Sequence, residues 1–293
     1  MSNLRSGSLS GFRFGLNARV VALSFTMTCG FAQAEEFSNF MGMKFVDVPT
    51  GSFKMGSCKA VMPDQVGVKV DCIGAELDVP FNELPQHGVT VPGFQIAKTE
   101  VTLGQFKDYI IKADRSDLVS DEFMEANSQA NEAPVVYVSW NDIKTFVEWL
   151  NKTKPATDKG VYRLPFEAEW EYACRAGSHD AFCGSKSPSA VAWHGGNSGS
   201  HQQGVGRKDA NAFALHDMSG NVREWVEDCY HDSFVNAHVD GSAWTTKCTS
   251  PERVLRGGSW KDESFKVRAS NRINAPSVSR SSTIGFRLVR KVP

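Results

Sequence analysis

Six cysteines and two pairs of histidines are the residues whose types and spacing invite a search for chemistry. Cys58, Cys72, Cys174, Cys183, Cys229 and Cys248 lie in polar, turn-rich sequence, and no C-x-x-C step joins any of them. That spacing speaks against zinc and for disulfides, with a reactive thiol as the remaining alternative. Nearest-neighbour pairing, Cys58–Cys72, Cys174–Cys183 and Cys229–Cys248, is the simplest of the many connectivities. Each bridge would close a short loop and contribute roughly 2–4 kcal/mol. His194 and His201 are seven residues apart in a Gly/Ser/Asn stretch, as are His231 and His238 in another. Neither pair follows the H-x-x-x-H step that puts two ligands on one helix face. Surface histidine is the simpler reading, and a metal held between loops stays open. No G-x-G-x-x-G, P-loop or G-x-S-x-G occurs, which argues against dinucleotide, nucleotide and α/β-hydrolase sites.

The compartment follows from the first 34 residues. Arg5, Arg13 and Arg19 form a basic start, Val20 to Phe31 is a mostly apolar run of 12 residues, and Ala32-Gln33-Ala34 is a small-x-small cleavage pattern. The run is too short to span a bilayer, which takes about 20 residues, so we expect a cleaved Sec-type signal peptide over 1–34 and no stable membrane insertion. Cys29 leaves with it, and the even count that remains suits an oxidising compartment. The chain of 293 residues is 41% hydrophobic with 32 basic against 33 acidic residues, enough for a large core and without the basic excess of a nucleic-acid binder.

Three helices are expected to position whatever site exists. Thr102-Leu103-Gly104-Gln105 is a capping box followed by apolar residues on one face. Ser139-Trp140-Asn141-Asp142 opens a second helix of the same kind. Pro165 opens a third over Phe166–Arg175, stopped by Gly177, with Glu167, Glu169 and Glu171 near its start, where the dipole favours acids. Short strands are expected at Phe45–Pro49, Phe94–Thr99, Val254–Ser259, Val267–Asn271 and Gly285–Arg290, and residues 178–250 read as loops.

A series of ordered motifs runs through these elements. It includes Gly51-Ser52-Phe53-Lys54-Met55-Gly56, Lys98-Thr99-Glu100-Val101-Thr102 and Arg163-Leu164-Pro165-Phe166-Glu167-Ala168-Glu169-Trp170. Further along come Gly220-Asn221-Val222-Arg223-Glu224-Trp225, Leu255-Arg256-Gly257-Gly258-Ser259-Trp260 and Gly285-Phe286-Arg287. In these motifs the chain resembles the formylglycine-generating enzyme, or sulfatase-modifying factor, family. The resemblance covers nearly the whole of residues 35–293. It implies one α+β domain, irregular, related to C-type lectins and low in regular secondary structure.

The family's copper enzymes hold copper(I) with two cysteines after the Gly-Gly-Ser motif, and thiolate suits that ion. Here Gly257 to Arg268 contains no cysteine, and Asp262 stands where the first would be. No copper is therefore expected, and copper-dependent formylglycine synthesis is not implied. Structural calcium is implied, through Asn221, the Val222 carbonyl and Glu224. A second family calcium site is not matched, since Gly206 falls where the family has an Asp.

Exported members lacking the copper pair include a periplasmic protein of pyoverdine maturation, needed to oxidise the dihydropyoverdine chromophore, and this chain resembles that subgroup in architecture. The implied activity is that of a periplasmic oxidoreductase on a dihydroquinoline or catechol-type chromophore. Molecular oxygen would be the electron acceptor and a siderophore precursor, small molecule or peptide, the partner. Other periplasmic maturation enzymes are further candidate partners. By position in the family, Asp262 and Glu263 are candidate acid/base groups and Ser259 a hydrogen-bond donor. Arg268, Arg272 and Arg287 could bind acidic or catecholate groups, and Trp260 and Trp225 could stack on a flat ring. Each has a plainer reading: paired structural arginines, a core Trp225 and turn carboxylates. The other function class is a lectin-like binding or partner module with no chemistry.

Overall fold

The computed structural model describes residues 36–59, 75–76, 79–248 and 251–292. The expected leader and Cys72 lie outside the described residues. Contacts gather Ala34–Pro293 into one unit.

The capping boxes form as expected. Helix α1 (Leu103–Lys112) starts at Thr102, whose side chain accepts the Gln105 N–H while the Gln105 side chain accepts the Thr102 N–H. A short α2 (Asp121–Ala126) starts at Ser120, and α3 (Trp140–Thr153) at the Ser139–Asp142 box. In α4 (Glu167–Arg175) the Glu169 carboxylate accepts the Phe166 N–H at 2.9 Å, and Ala176 ends the helix in the left-handed conformation. Phe106, Tyr109, Phe146 and Phe286 interlock at centroid distances of 4.9–6.3 Å, joining α1 and α3 to the last strands. Burying each such ring contributes roughly 1.5–3 kcal/mol.

Among the described residues two larger sheets stand beside three two-stranded ones. The first is antiparallel throughout, in the order Glu36–Ser38, Lys44–Val48, Phe94–Ala97, Val289–Lys291, Val161–Arg163. The second runs Arg272–Pro276, Glu252–Arg256, Arg223–Cys229, Ile284–Gly285, its last pair parallel. The expected strand at Val267–Asn271 is displaced. Ser264–Val267 is a 3-10 turn, and the strand begins at Arg272, where the chain first reaches the edge of Glu252–Arg256.

Two bridges close as nearest neighbours, Cys174–Cys183 and Cys229–Cys248. Cys58 is disulfide-bonded as well. The mixed, strand-rich and helix-poor architecture agrees with the α+β expectation.

Candidate functional site

The Gly-Gly-Ser turn sits where the second sheet ends. Gly257 and Gly258 both have positive φ, and a Cβ on Gly258 would lie 2.6 Å from the Lys266 carbonyl oxygen. Glycine is required there by both conformation and space. The turn delivers Ser259 into the interior, fully buried. Its N–H and Oγ both donate to Asp262 Oδ2, at 2.8 and 2.7 Å. The other oxygen, Asp262 Oδ1, is ion-paired to Arg223 Nη2. Arg223, on the neighbouring strand, also reaches Thr283 Oγ1 at 3.4 Å. Asp262 is thus a clamp between Ser259 and Arg223, a partner missed by the sequence reading although it stands inside the Asn221–Trp225 motif.

Trp260 follows, and every polar group of it is held. Its N–H donates to the Asn221 carbonyl at 2.7 Å, its indole N–H to the Ser282 carbonyl at 3.0 Å, and its carbonyl accepts from Ser198 Oγ at 2.8 Å. Trp260 lines a cleft of about 590 Å³, together with Glu122, Glu125, Tyr137, His201 and Gln202 among others. Tyr137 has φ of 60°, a sparsely allowed region for a non-glycine residue, and its N–H donates to the Ser281 carbonyl at 2.9 Å. His201 Nδ1 lies 2.9 Å from the Gln202 carbonyl oxygen and 2.9 Å from the Gln203 amide nitrogen. Of the residues singled out by sequence, Trp260 and His201 line this cleft. Ser259, Asp262 and Glu263 do not, and Glu263 is exposed.

The three candidate arginines are each ion-paired within the fold, the plainer of their two readings. Arg272 is fully buried and holds Glu167 through two hydrogen bonds of 2.7 and 2.8 Å. Arg287, equally buried, holds Glu224 at 2.7 and 2.9 Å. Arg268 is bidentate to Glu83 at 2.8 and 2.9 Å. Burial pushes the Glu83 carboxyl up, but the Arg268 guanidinium and the Ser57 and Ser270 hydroxyls together leave the group below the usual range. Trp225 takes its core reading: it is fully buried and its indole donates to the Val138 carbonyl at 3.1 Å, so neither ring face is open to a ligand.

The implied calcium donors meet a different arrangement. The Asn221 side chain is occupied by the Gln203 backbone, accepting its N–H at 2.9 Å and donating to its carbonyl at 3.3 Å. Glu224 already accepts from Arg287 and from the Trp170 indole at 2.7 Å. The orphaned oxygens lie on two other acids. Both carboxylate oxygens of Glu100, and Asp217 Oδ1, are buried without a hydrogen-bond partner. Burial, then the Asp217 charge, pushes Glu100 well above the usual carboxylate range, and burial likewise raises Asp217. Three buried acids therefore face the Arg287 guanidinium. An oxygen-only donor set with excess negative charge is the chemistry a hard cation such as calcium takes. Among the described residues no three His, Cys, Asp or Glu converge at metal-holding geometry.

The paired histidines are apart from this cleft or only half in it. His231 stacks on Trp244 at 3.6 Å beside a separate cavity of about 680 Å³. His194 is buried, and its Nδ1 accepts the Gly196 N–H at 3.1 Å.

Three comparisons with known proteins bear on this geometry. The model of the sulfatase-modifying factor enzyme 1-like domain matches residues 30–292. The solved structure of PvdO from Pseudomonas aeruginosa superposes with a TM-score of 0.72 at 32% identity, covering 89% of this chain and 99% of that one. The formylglycine-generating enzyme of Mus musculus is 27% identical over 305 residues, covering 83% of this chain and 74% of the relative. The serine/threonine-protein kinase Pkn1 of Chlamydia trachomatis is 28% identical over 231 residues, 72% of this chain, and the chain spans only 35% of that relative's length.

Proposed function

The chain belongs to the sulfatase-modifying factor family over residues 30–292, and from that premise we propose that it is an exported oxidase that matures the dihydropyoverdine chromophore. The observation that carries the reading is the Trp260 cleft beside the clamped Gly-Gly-Ser turn, in a chain similar to PvdO over 99% of that protein's length. Export through residues 1–34 to the periplasm is part of the proposal. The Cys174–Cys183 and Cys229–Cys248 bridges suit that compartment. No helix among the described residues is long and apolar enough to cross a membrane.

In this reading the flat ring of the substrate lies against Trp260 and Tyr137, whose faces favour offset contact with another ring. Two electrons and two protons leave the dihydroquinoline as its new double bond forms. Molecular oxygen accepts both electrons and both protons and becomes hydrogen peroxide. His201 is the imidazole of the cleft lining and takes the first proton from the substrate. Asp262 is a positioning residue. With Arg223 it fixes Ser259, and so the turn that carries Trp260. Calcium, when bound, would be held by the orphaned oxygens of Glu100 and Asp217 and would supply structural neutralisation, away from the reaction.

One observation favours a second reading, a binding module without turnover. The carboxylate at the family's reactive position is neutralised by Arg223 and is no free base. Incubation of the periplasmically purified protein with dihydropyoverdine in air separates the two. An oxidase accelerates the loss of two hydrogens and the release of peroxide over a protein-free control, and His201→Asn slows it. A binding module retains the ligand and forms no product.

A further inference from the structure

Helix α2 is six residues long, yet it is fixed to the Trp260 cleft from both sides. Phe123 is its buried anchor, 6.4 Å from the Phe106 ring. Just past its end, the Asn127 side chain donates to the Val136 carbonyl at 2.9 Å and accepts the Val136 N–H at 3.0 Å, next to Tyr137. From the other side, Gln202 Nε2 donates to the Ala126 carbonyl at 2.9 Å, next to His201. These bonds tie the end of the helix to the chain beside Tyr137 and His201.

On that helix Glu122 and Glu125, three residues apart and so neighbours on its surface, line the cleft. Both are exposed, and neither has an ion-pair partner among the described residues. The Ser120 hydroxyl beside Glu122 holds its carboxyl below the usual range. Among the described residues no Lys or Arg lines the cleft. Uncompensated charge of one sign along a concave wall raises the local concentration of the opposite sign. The aromatic faces add to this, since their quadrupoles also attract cations.

We propose that this cleft selects flat substrates that carry a positive charge beside the ring, with Trp260 and Tyr137 taking the ring and Glu122 and Glu125 the cation. The proposal rests on the oxidase reading for the place of the site and adds the substrate's charge class to it.

The test uses three catechols of similar size and different charge, titrated calorimetrically into the purified protein: dopamine, 4-ethylcatechol and 3,4-dihydroxyphenylacetate. Affinity should fall in that order, with a spread of about tenfold at low ionic strength that shrinks in high salt. In Glu122→Gln/Glu125→Gln the spread should collapse to about twofold, with the neutral probe unchanged. Both positions are exposed, so folding is not at stake, and an unchanged melting temperature checks this. Equal affinities in the wild type, an order that persists in the double variant, or no binding of any probe would each overturn the proposal. Dihydropyoverdine turnover, measured in parallel, keeps the two readings apart. Turnover without charge ordering leaves the oxidase and removes the selectivity. Charge ordering without turnover does the reverse.

Discussion

Asp262→Asn is the substitution on which the geometry of the site bears most heavily. The carboxylate is 9% exposed, and its ion-pair partner Arg223 is 18% exposed at the side chain. Asparagine keeps the shape but removes the charge, and leaves the guanidinium without its counter-ion. Removing one partner of a fully buried pair costs about 3–5 kcal/mol. Partial exposure of Arg223 moves the expectation to the low end, about 3 kcal/mol. In a chain of this size each kcal/mol lowers the melting temperature by about 2–4 °C, so a fall of about 6–12 °C is expected. Differential scanning calorimetry reads it, with Glu263→Gln as the exposed control that should not move. Because the loss comes from an orphaned charge, while asparagine still offers Ser259 an acceptor, Arg223→Met/Asp262→Asn should recover most of it. Asp262→Asn with an unchanged melting temperature, or a double variant no better than the single, would refute the clamp and return Asp262 to the role of a free base.

Other perturbations reach other parts of the structure. Burial, with the Glu167 charge beside it, pushes the Asp228 carboxyl up to about 7, against two backbone N–H donors that hold it down. The folded state keeps a proton there that the unfolded chain releases near pH 4, so this contribution is full below about pH 4 and is lost as pH rises through about 7. Urea midpoints between pH 5 and 8 should therefore fall more steeply in the wild type than in Asp228→Asn; parallel curves would exclude this. Cys229→Ser/Cys248→Ser opens a loop of 19 residues' separation and should cost about 3 kcal/mol by chain entropy, read as a lower urea midpoint. A chelator should strip calcium measurable by mass spectrometry and lower the melting temperature, and Glu100→Gln should reduce the calcium retained. A protein that carries no metal, or one indifferent to the chelator, would remove calcium from the account.

Local chemistry was legible in the sequence and long-range pairing was not. The Thr102 and Ser139 boxes are written within four residues, so spacing alone predicts α1 and α3. The bridges followed because short polar loops leave neighbouring cysteines few other partners. Glu167 and Glu171 of α4 were expected to serve the helix dipole. They are instead buried counter-ions of Arg272 and Arg256, 105 and 85 residues away, and nothing in either local stretch announces that. The same distance hid the clamping of Asp262 by Arg223 and the capture of Arg287 by Glu224. Helix α2 escaped because six residues with one buried anchor, Phe123, carry no periodicity to detect. With it went Glu122 and Glu125. Tyr137 was equally silent, since its role depends on a backbone conformation that its neighbours Val136 and Val138 do not advertise.

Oxygen uptake during dihydropyoverdine conversion tests the central claim most directly. The account predicts that the periplasmically purified protein consumes one oxygen per chromophore, releases one peroxide, and makes a fluorescent product two hydrogens lighter, while Trp260→Ala is slowed well beyond any change in its stability. Conversion no faster than in buffer alone, with the ligand nevertheless bound, would contradict the oxidase and leave a binding protein in its place.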